Sequence, residues 1–301
     1  MPSSLCDSYY CHVTHRSIMA TESAVFSNAR PQKQSTWFLP REHGATAMLF
    51  TPIVCAAILS RGWRWSELAT VTAAFAALAA KDPAVVLARQ RFVWKQRHPE
   101  TAPAIRWFAG WMVLLIASGL ILLAAWPIKA TVALGSGVAV FSVLAIAINV
   151  KNRQRSTLFQ IASAAALTSS SLATSLSAAG TIAPWCWWLW VLLALQATAG
   201  ILVVHARLDA RVALRSTAPA GENFRRAAQI SLVALACAAV IATVFHHGWI
   251  ALALLIAVLG YAYDLHRQRN AEALQLPLKS VGQRALALSS LYAILLIIGL
   301  W

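Results

Sequence analysis

Apolar positions in this chain come in long runs, and polar positions gather in short stretches between them. Nine runs approach the ~20 residues that a bilayer crossing needs. They cover residues 44–60, 67–88, 105–125, 130–149, 157–178, 184–205, 226–245, 247–265 and 285–301. The second is interrupted by Lys81, Asp82 and Pro83, so its membrane part is expected to end near Ala80. The fifth is rich in Ser and Thr and is separated from the fourth only by KNRQRS. The pattern predicts an all-α fold, a polytopic membrane domain of nine transmembrane helices over residues 37–301. Residues 1–36 are polar and weakly patterned and are expected to form a disordered cytoplasmic tail, with Met19 as a second candidate start. No charged-then-apolar signal-peptide layout is legible there.

Charge gives the runs a direction. With the N-terminus inside, the inner connections hold 22 of the 25 Lys and Arg residues, and the outer ones hold only Arg61, Arg64 and Lys129. Basic residues stay on the cytoplasmic side, and one missed span would scramble every later loop. The split therefore predicts N-in, C-out topology. Nine of the thirteen Trp residues fall at the predicted outer ends, Trp63, Trp126, Trp249 and Trp301 among them, as an interfacial belt would. Composition agrees: 59% hydrophobic, 12% charged and mean hydropathy +0.63 describe a membrane chain. The net charge of +15 then belongs to cytoplasmic loops and not to nucleic-acid binding.

The five cysteines are scattered and imply no disulfide framework. Cys6, Cys11, His12 and His15 are loosely spaced like zinc ligands but match no standard finger, so no metal is assigned to them. No Asp, Glu, Lys or Arg falls at the middle of a run, which argues against a charge-relay pump. Polarity there is limited to hydroxyls and amides, such as Ser169, Ser170, Ser171 and Gln196. These are expected to bond to helix backbone or to a neighbouring helix. No inverted repeat and no matched pair of broken helices is legible, which argues against a transporter.

Ionisable groups gather instead at the cytoplasmic ends. Arg41, Glu42 and His43 precede the first run, Asp82 closes the second, and Lys151, Arg153 and Arg155 lie between the fourth and fifth. His205 and Asp209 end the sixth, four residues apart and so on one helix face. Topology explains the basic residues, which also suit anionic lipid. It does not explain the acids and imidazoles, so Glu42, His43, Asp82, His205 and Asp209 are read as the rim of a cytoplasm-facing cavity. His43, His205 and Asp209 are its candidates for catalysis.

PREHGATAMLFTP, which enters the first run, resembles the signature of the YwiC-like family of bacterial integral membrane proteins. The match rests on Pro40, Glu42, His43, Gly44 and Ala45. Met48, Leu49 and Pro52 fit the continuation of the motif, and Thr46 stands where that family often has Trp. The family supplies no activity to carry over, but it implies the bacterial inner membrane. The layout of nine spans is also similar to the UbiA prenyltransferase superfamily, whose members hold a prenyl diphosphate through Mg²⁺ and two Asp-rich motifs after spans 2 and 6. This chain departs there. Asp82 stands alone, and the second motif survives only as His205 and Asp209. Hard Mg²⁺ prefers several oxygen ligands, so Mg²⁺ enters only on a prenyltransferase-like reading and no other cofactor is implied. Three functions compete: a lipid-handling protein taking a prenyl or other amphipathic anionic ligand, a permease for a small anion or amphiphile, and a non-catalytic accessory protein. The bilayer is the partner common to all three.

Overall fold

In hydrocarbon every backbone N–H and C=O must bond within its own segment, so long apolar runs fold as helices. The computed structural model describes residues 43–94, 99–151, 156–215, 222–276 and 278–301. In chain order the helices are α1 (His43–Leu59), α2 (Trp65–Arg89), α3 (Thr101–Ala125), α4 (Ile128–Val150), α5 (Thr157–Thr168), α6 (Ser170–Ala179), α7 (Pro184–Arg215), α8 (Glu222–Val244), α9 (Gly248–Arg267), α10 (Ala271–Gln275) and α11 (Leu278–Leu300). A π-helical turn, Gln90–Trp94, continues α2. No strand occurs among the described residues. Seven helices, α2, α3, α4, α7, α8, α9 and α11, are long and apolar enough to cross a membrane.

Two of the nine expected spans are not single long helices, although the first keeps the 17-residue length of its run. The first, α1, has 17 residues, about 26 Å at 1.5 Å per residue, short of a ~30 Å hydrocarbon core. The fifth is two short helices meeting at Ser169. The Ser169 hydroxyl donates to the Ala166 carbonyl at 2.7 Å and that of Thr168 to Ala164 at 2.9 Å, competing with the helix ladder at the break. The helix carrying Lys81 and Asp82 extends beyond the membrane boundary expected near Ala80. Pro83 is buried inside α2, and the helix runs on to Arg89. Its lost N–H costs one rung, which a packed helix tolerates in a membrane.

Contacts between helix ends sort them onto two sides of the bundle. On one side, the Arg61 guanidinium donates to the Trp301 carbonyl at 3.0 Å and lies 4.3 Å over its ring. Nearby in sequence, Ser66 donates to the Ser177 carbonyl at 2.8 Å, and the Trp126 indole N–H donates to the Ser177 hydroxyl at 2.9 Å. On the other side, Arg89 donates to the Asn149 carbonyl at 3.0 Å and Thr101 to Gln90 at 2.9 Å. Gln160, His205, Phe224 and the α10 carbonyls meet there too.

The core forms around α7, which packs against α1, α5, α6, α8, α9, α10 and α11. Half of its most apolar stretch is buried (50%), against 6% for α4. Small residues make this possible: Ala199, Ala228, Ala253 and Ala257 are fully buried, and small side chains let helix backbones approach in lipid, where packing drives association. One close crossing is at Gly200, where a Cβ would stand 2.9 Å from the Tyr261 hydroxyl. By contrast α3 and α4 expose Val113, Leu120, Val138, Val140 and Val143. So much bare aliphatic surface needs lipid around it.

Candidate functional site

Much of the first expected cluster falls outside the described residues: Arg41, Glu42, Arg153 and Arg155 do so. His43 is described as the backbone of the first residue of α1. Lys151 follows α4 and is exposed. Asp82 is partly exposed in α2, its carboxylate 4.0 Å from the Lys81 ammonium.

His205 is the best-held member of the set. It lies on α7, partly buried, with Nε2 2.9 Å from Gln160 Oε1 on α5. With that amide oxygen as acceptor, Nε2 is the donor and Nδ1 is left to accept. The ring stacks on Phe224 of α8 at 5.1 Å between centroids and 23° between planes. Imidazole is thus fixed by two elements at the point where α5, α7 and α8 converge. Asp209 stands one turn further along α7, partly exposed, and no hydrogen bond or ion pair joins it to His205. Asp82 belongs to a different neighbourhood, since α2 packs mainly on α3, α4 and α6. The structure brings His205 to Gln160 and Phe224.

The opposite face of the same stretch of α7 carries two residues that the sequence reading passed over. Arg207 is 5% exposed and donates through Nη2 to the Ala273 carbonyl at 2.5 Å. Arg211 donates to the carbonyls of Leu274 (2.5 Å) and Leu276. Together they hold α10 against α7 by filling the carbonyls that a five-residue helix cannot satisfy itself. Gln268 adds a bond to the Val203 carbonyl at 3.1 Å. Asp264, Arg267 and Arg284 lie within electrostatic range of Arg207. Both faces carry an ionisable pair four residues apart, so spacing alone does not distinguish the face that packs from the face that opens.

Deeper in the bundle the polar groups are consumed by structure. The Gln196 amide donates to Tyr261 Oη at 2.6 Å and to Ser289 Oγ at 2.9 Å, joining α7, α9 and α11. Hydroxyls behave as expected of a span: Thr174 bonds back to Ser170 of its own helix, Ser171 donates across the break to the Thr168 carbonyl of α5, and Ser170 donates to the Leu49 carbonyl of α1 at 3.0 Å. Glu67 is 1% exposed at the start of α2, where Oε1 accepts from the Arg64 N–H at 3.2 Å and Oε2 has no partner among the described residues. Also among the described residues, no three His, Cys, Asp or Glu side chains gather as metal ligands.

Residues 39–176 match the family model described as YwiC-like protein. The likeness carried by Pro40, Glu42, His43, Gly44 and Ala45 is therefore shown over that stretch. No curated protein and no solved structure matches the chain.

Proposed function

From residues 39–176 being YwiC-like, we propose that this is a multi-pass protein of the bacterial cytoplasmic membrane that receives an amphipathic anion on its cytoplasmic side. On this reading the chain crosses nine times, N-in and C-out, with α1 and the α5–α6 pair completing the seven longer helices. The side carrying His205 faces the cytoplasm and the side carrying Arg61 and Trp301 faces outwards. Exposed Trp63, Trp65, Trp188 and Trp249 near the latter support that assignment.

The observation that carries the ligand class is the placing of His205. It is anchored by two other helices, Gln160 on one side and Phe224 on the other. Apolar helix walls suit a prenyl or other hydrocarbon tail, and the surrounding basic rim suits its anionic head. Arg41, Glu42, His43, Asp82, Lys151, Arg153, Arg155 and Asp209 complete the rim on this reading, in a UbiA-like bundle. The test is native mass spectrometry of protein extracted gently from its own membranes, beside His205→Ala and Gln160→Ala. An amphiphile that copurifies with the wild type and is depleted in both variants is the expected result. A spectrum with no bound amphiphile, or one unchanged in the variants, sinks the reading.

A permease is the second reading, and one feature favours it. Inside the bundle the α5–α6 pair, broken at Ser169, meets α1, a continuous helix that carries Pro52, through Ser170 and Leu49. A helix broken at depth is where transporters expose backbone to a passing solute. Cysteine labelling from both faces at position 170 separates the readings, because a carrier admits reagent from each side in turn.

A further inference from the structure

Where α8 begins and α9 ends, a groove of about 430 Å³ is lined by Arg225, Arg226, Gln229 and Arg269. Of its four described lining residues three are arginines and none is acidic. Arg225 and Arg226 fall in the opening turns of α8, where the helix dipole is positive and cations are disfavoured. Arg269, from the turn after α9, adds a third guanidinium to the same space. Arg226 and Arg269 are exposed and Arg225 is half-buried. Like charges are thus crowded at the end of a helix that would itself prefer an anion.

We propose that this groove is a binding site for a phosphate group. Guanidinium forks pair two by two with tetrahedral oxyanions, and three of them match a group with several acceptor oxygens better than a carboxylate. The Gln229 amide, one turn beyond Arg225 and Arg226, can donate to an oxygen or meet a headgroup hydroxyl. The groove's volume falls in the range of small-ligand sites and exceeds the needs of a bare ion. Further along α8, Ile230 and Val233 are exposed. They continue the helix surface from the groove, so a phosphodiester with acyl chains can set its head among the arginines and its tail against α8. A soluble phosphate ester would use the same arginines without the tail. None of the residues assigned to the amphiphile above takes part, so this site stands or falls separately.

The experiment uses the full chain in mild detergent with Arg225→Gln/Arg269→Gln. The control is Arg91→Gln/Arg106→Gln, which removes the same charge from two exposed arginines elsewhere. Native mass spectrometry reads retention of added phosphatidylglycerol against phosphatidylcholine. Thermal unfolding reads stabilisation by inorganic phosphate against chloride at equal ionic strength. Each basic residue near an anionic headgroup contributes about fivefold in affinity, so the groove variant should lose roughly 30-fold. Preferential retention of phosphatidylglycerol, lost in the groove variant and kept in the control, assigns a lipid head. Stabilisation by phosphate with the same variant dependence, and no lipid preference, assigns a soluble phosphate. If the groove variant and the control match each other in both assays, the site is overturned.

Discussion

Replacing Gly200 by alanine tests how the three central helices cross. A Cβ at this position would lie 2.9 Å from Tyr261 Oη, 3.4 Å from Cζ and 3.6 Å from Cε1. The tyrosine has little room to retreat, being 4% exposed with its hydroxyl held by Gln196 at 2.6 Å. Overpacking of this kind costs about 1–3 kcal/mol. Displacing the hydroxyl adds the average worth of an interhelical bond in a membrane, about 0.6 kcal/mol. Alanine also favours the helix over glycine by up to ~1 kcal/mol, and a control removes that term. Gly135, on α4, has nothing within 4 Å of its would-be Cβ. Gly200→Ala should therefore be less stable than Gly135→Ala by about 1.6–3.6 kcal/mol, the sum of the packing and hydrogen-bond costs. The assay is reversible unfolding in mixed dodecylmaltoside–SDS micelles. A further arm removes the clashing atom: in Tyr261→Phe the nearest ring carbon is 3.4 Å away, an ordinary contact, so Gly200→Ala on that background should cost little. If Gly200→Ala unfolds at the same SDS fraction as Gly135→Ala, or if Tyr261→Phe gives no rescue, the helices do not cross as described.

Three other outcomes are expected. Arg207→Ala removes the bond to the Ala273 carbonyl; a hydrogen bond from a charged group is worth about 1.5–3 kcal/mol, so α10 should open more often and trypsin should cut after Arg269 at least about tenfold faster. An unchanged cleavage rate would mean that α10 is held by other contacts. Glu67→Ala should lose about 1 kcal/mol with the cap on the Arg64 N–H, whereas Glu67→Gln keeps an oxygen there and should be no less stable; the same unfolding assay reads both. In protein lacking Cys6 and Cys11, a detergent-soluble maleimide should label Cys237, which is exposed, and should reach buried Cys55 and Cys186 only after unfolding. Mass spectrometry of peptides distinguishes the three.

Hydropathy carried much of the architecture, because lipid leaves an apolar run few alternatives to a helix. It failed where polarity was too mild to interrupt a run. Ser169 breaks the fifth segment through hydroxyls that a hydropathy profile hardly registers. Lys81 and Asp82 mark an expected membrane boundary, and the helix itself continues past them with Pro83 packed inside it. The surroundings of the candidate residues were less legible. His205 was singled out because an imidazole at a helix end is conspicuous, but its neighbours Gln160 and Phe224 lie 45 residues earlier and on the next helix. Arg207 and Arg211 were hidden by the positive-inside pattern itself, since that rule accounts for every arginine on this side without asking which ones are buried. Glu67 was overlooked for a related reason: one carboxylate near a span's end looks solvated until the packing of α2 is known.

The bareness of α4 has a mechanical consequence. Its 23 residues make a rod of about 35 Å, longer than a ~30 Å core, and such a rod relieves the excess by leaning. Most of its flank meets only fluid acyl chains, so little protein resists that lean, while the Arg89 bond to the Asn149 carbonyl pins one end as a pivot. Thinner bilayers should swing the free end of α4 outwards and thicker ones should draw it upright, with α7 and its neighbours unmoved. Spin-label distances from α4 to α7 that ignore bilayer thickness would show the rod to be clamped.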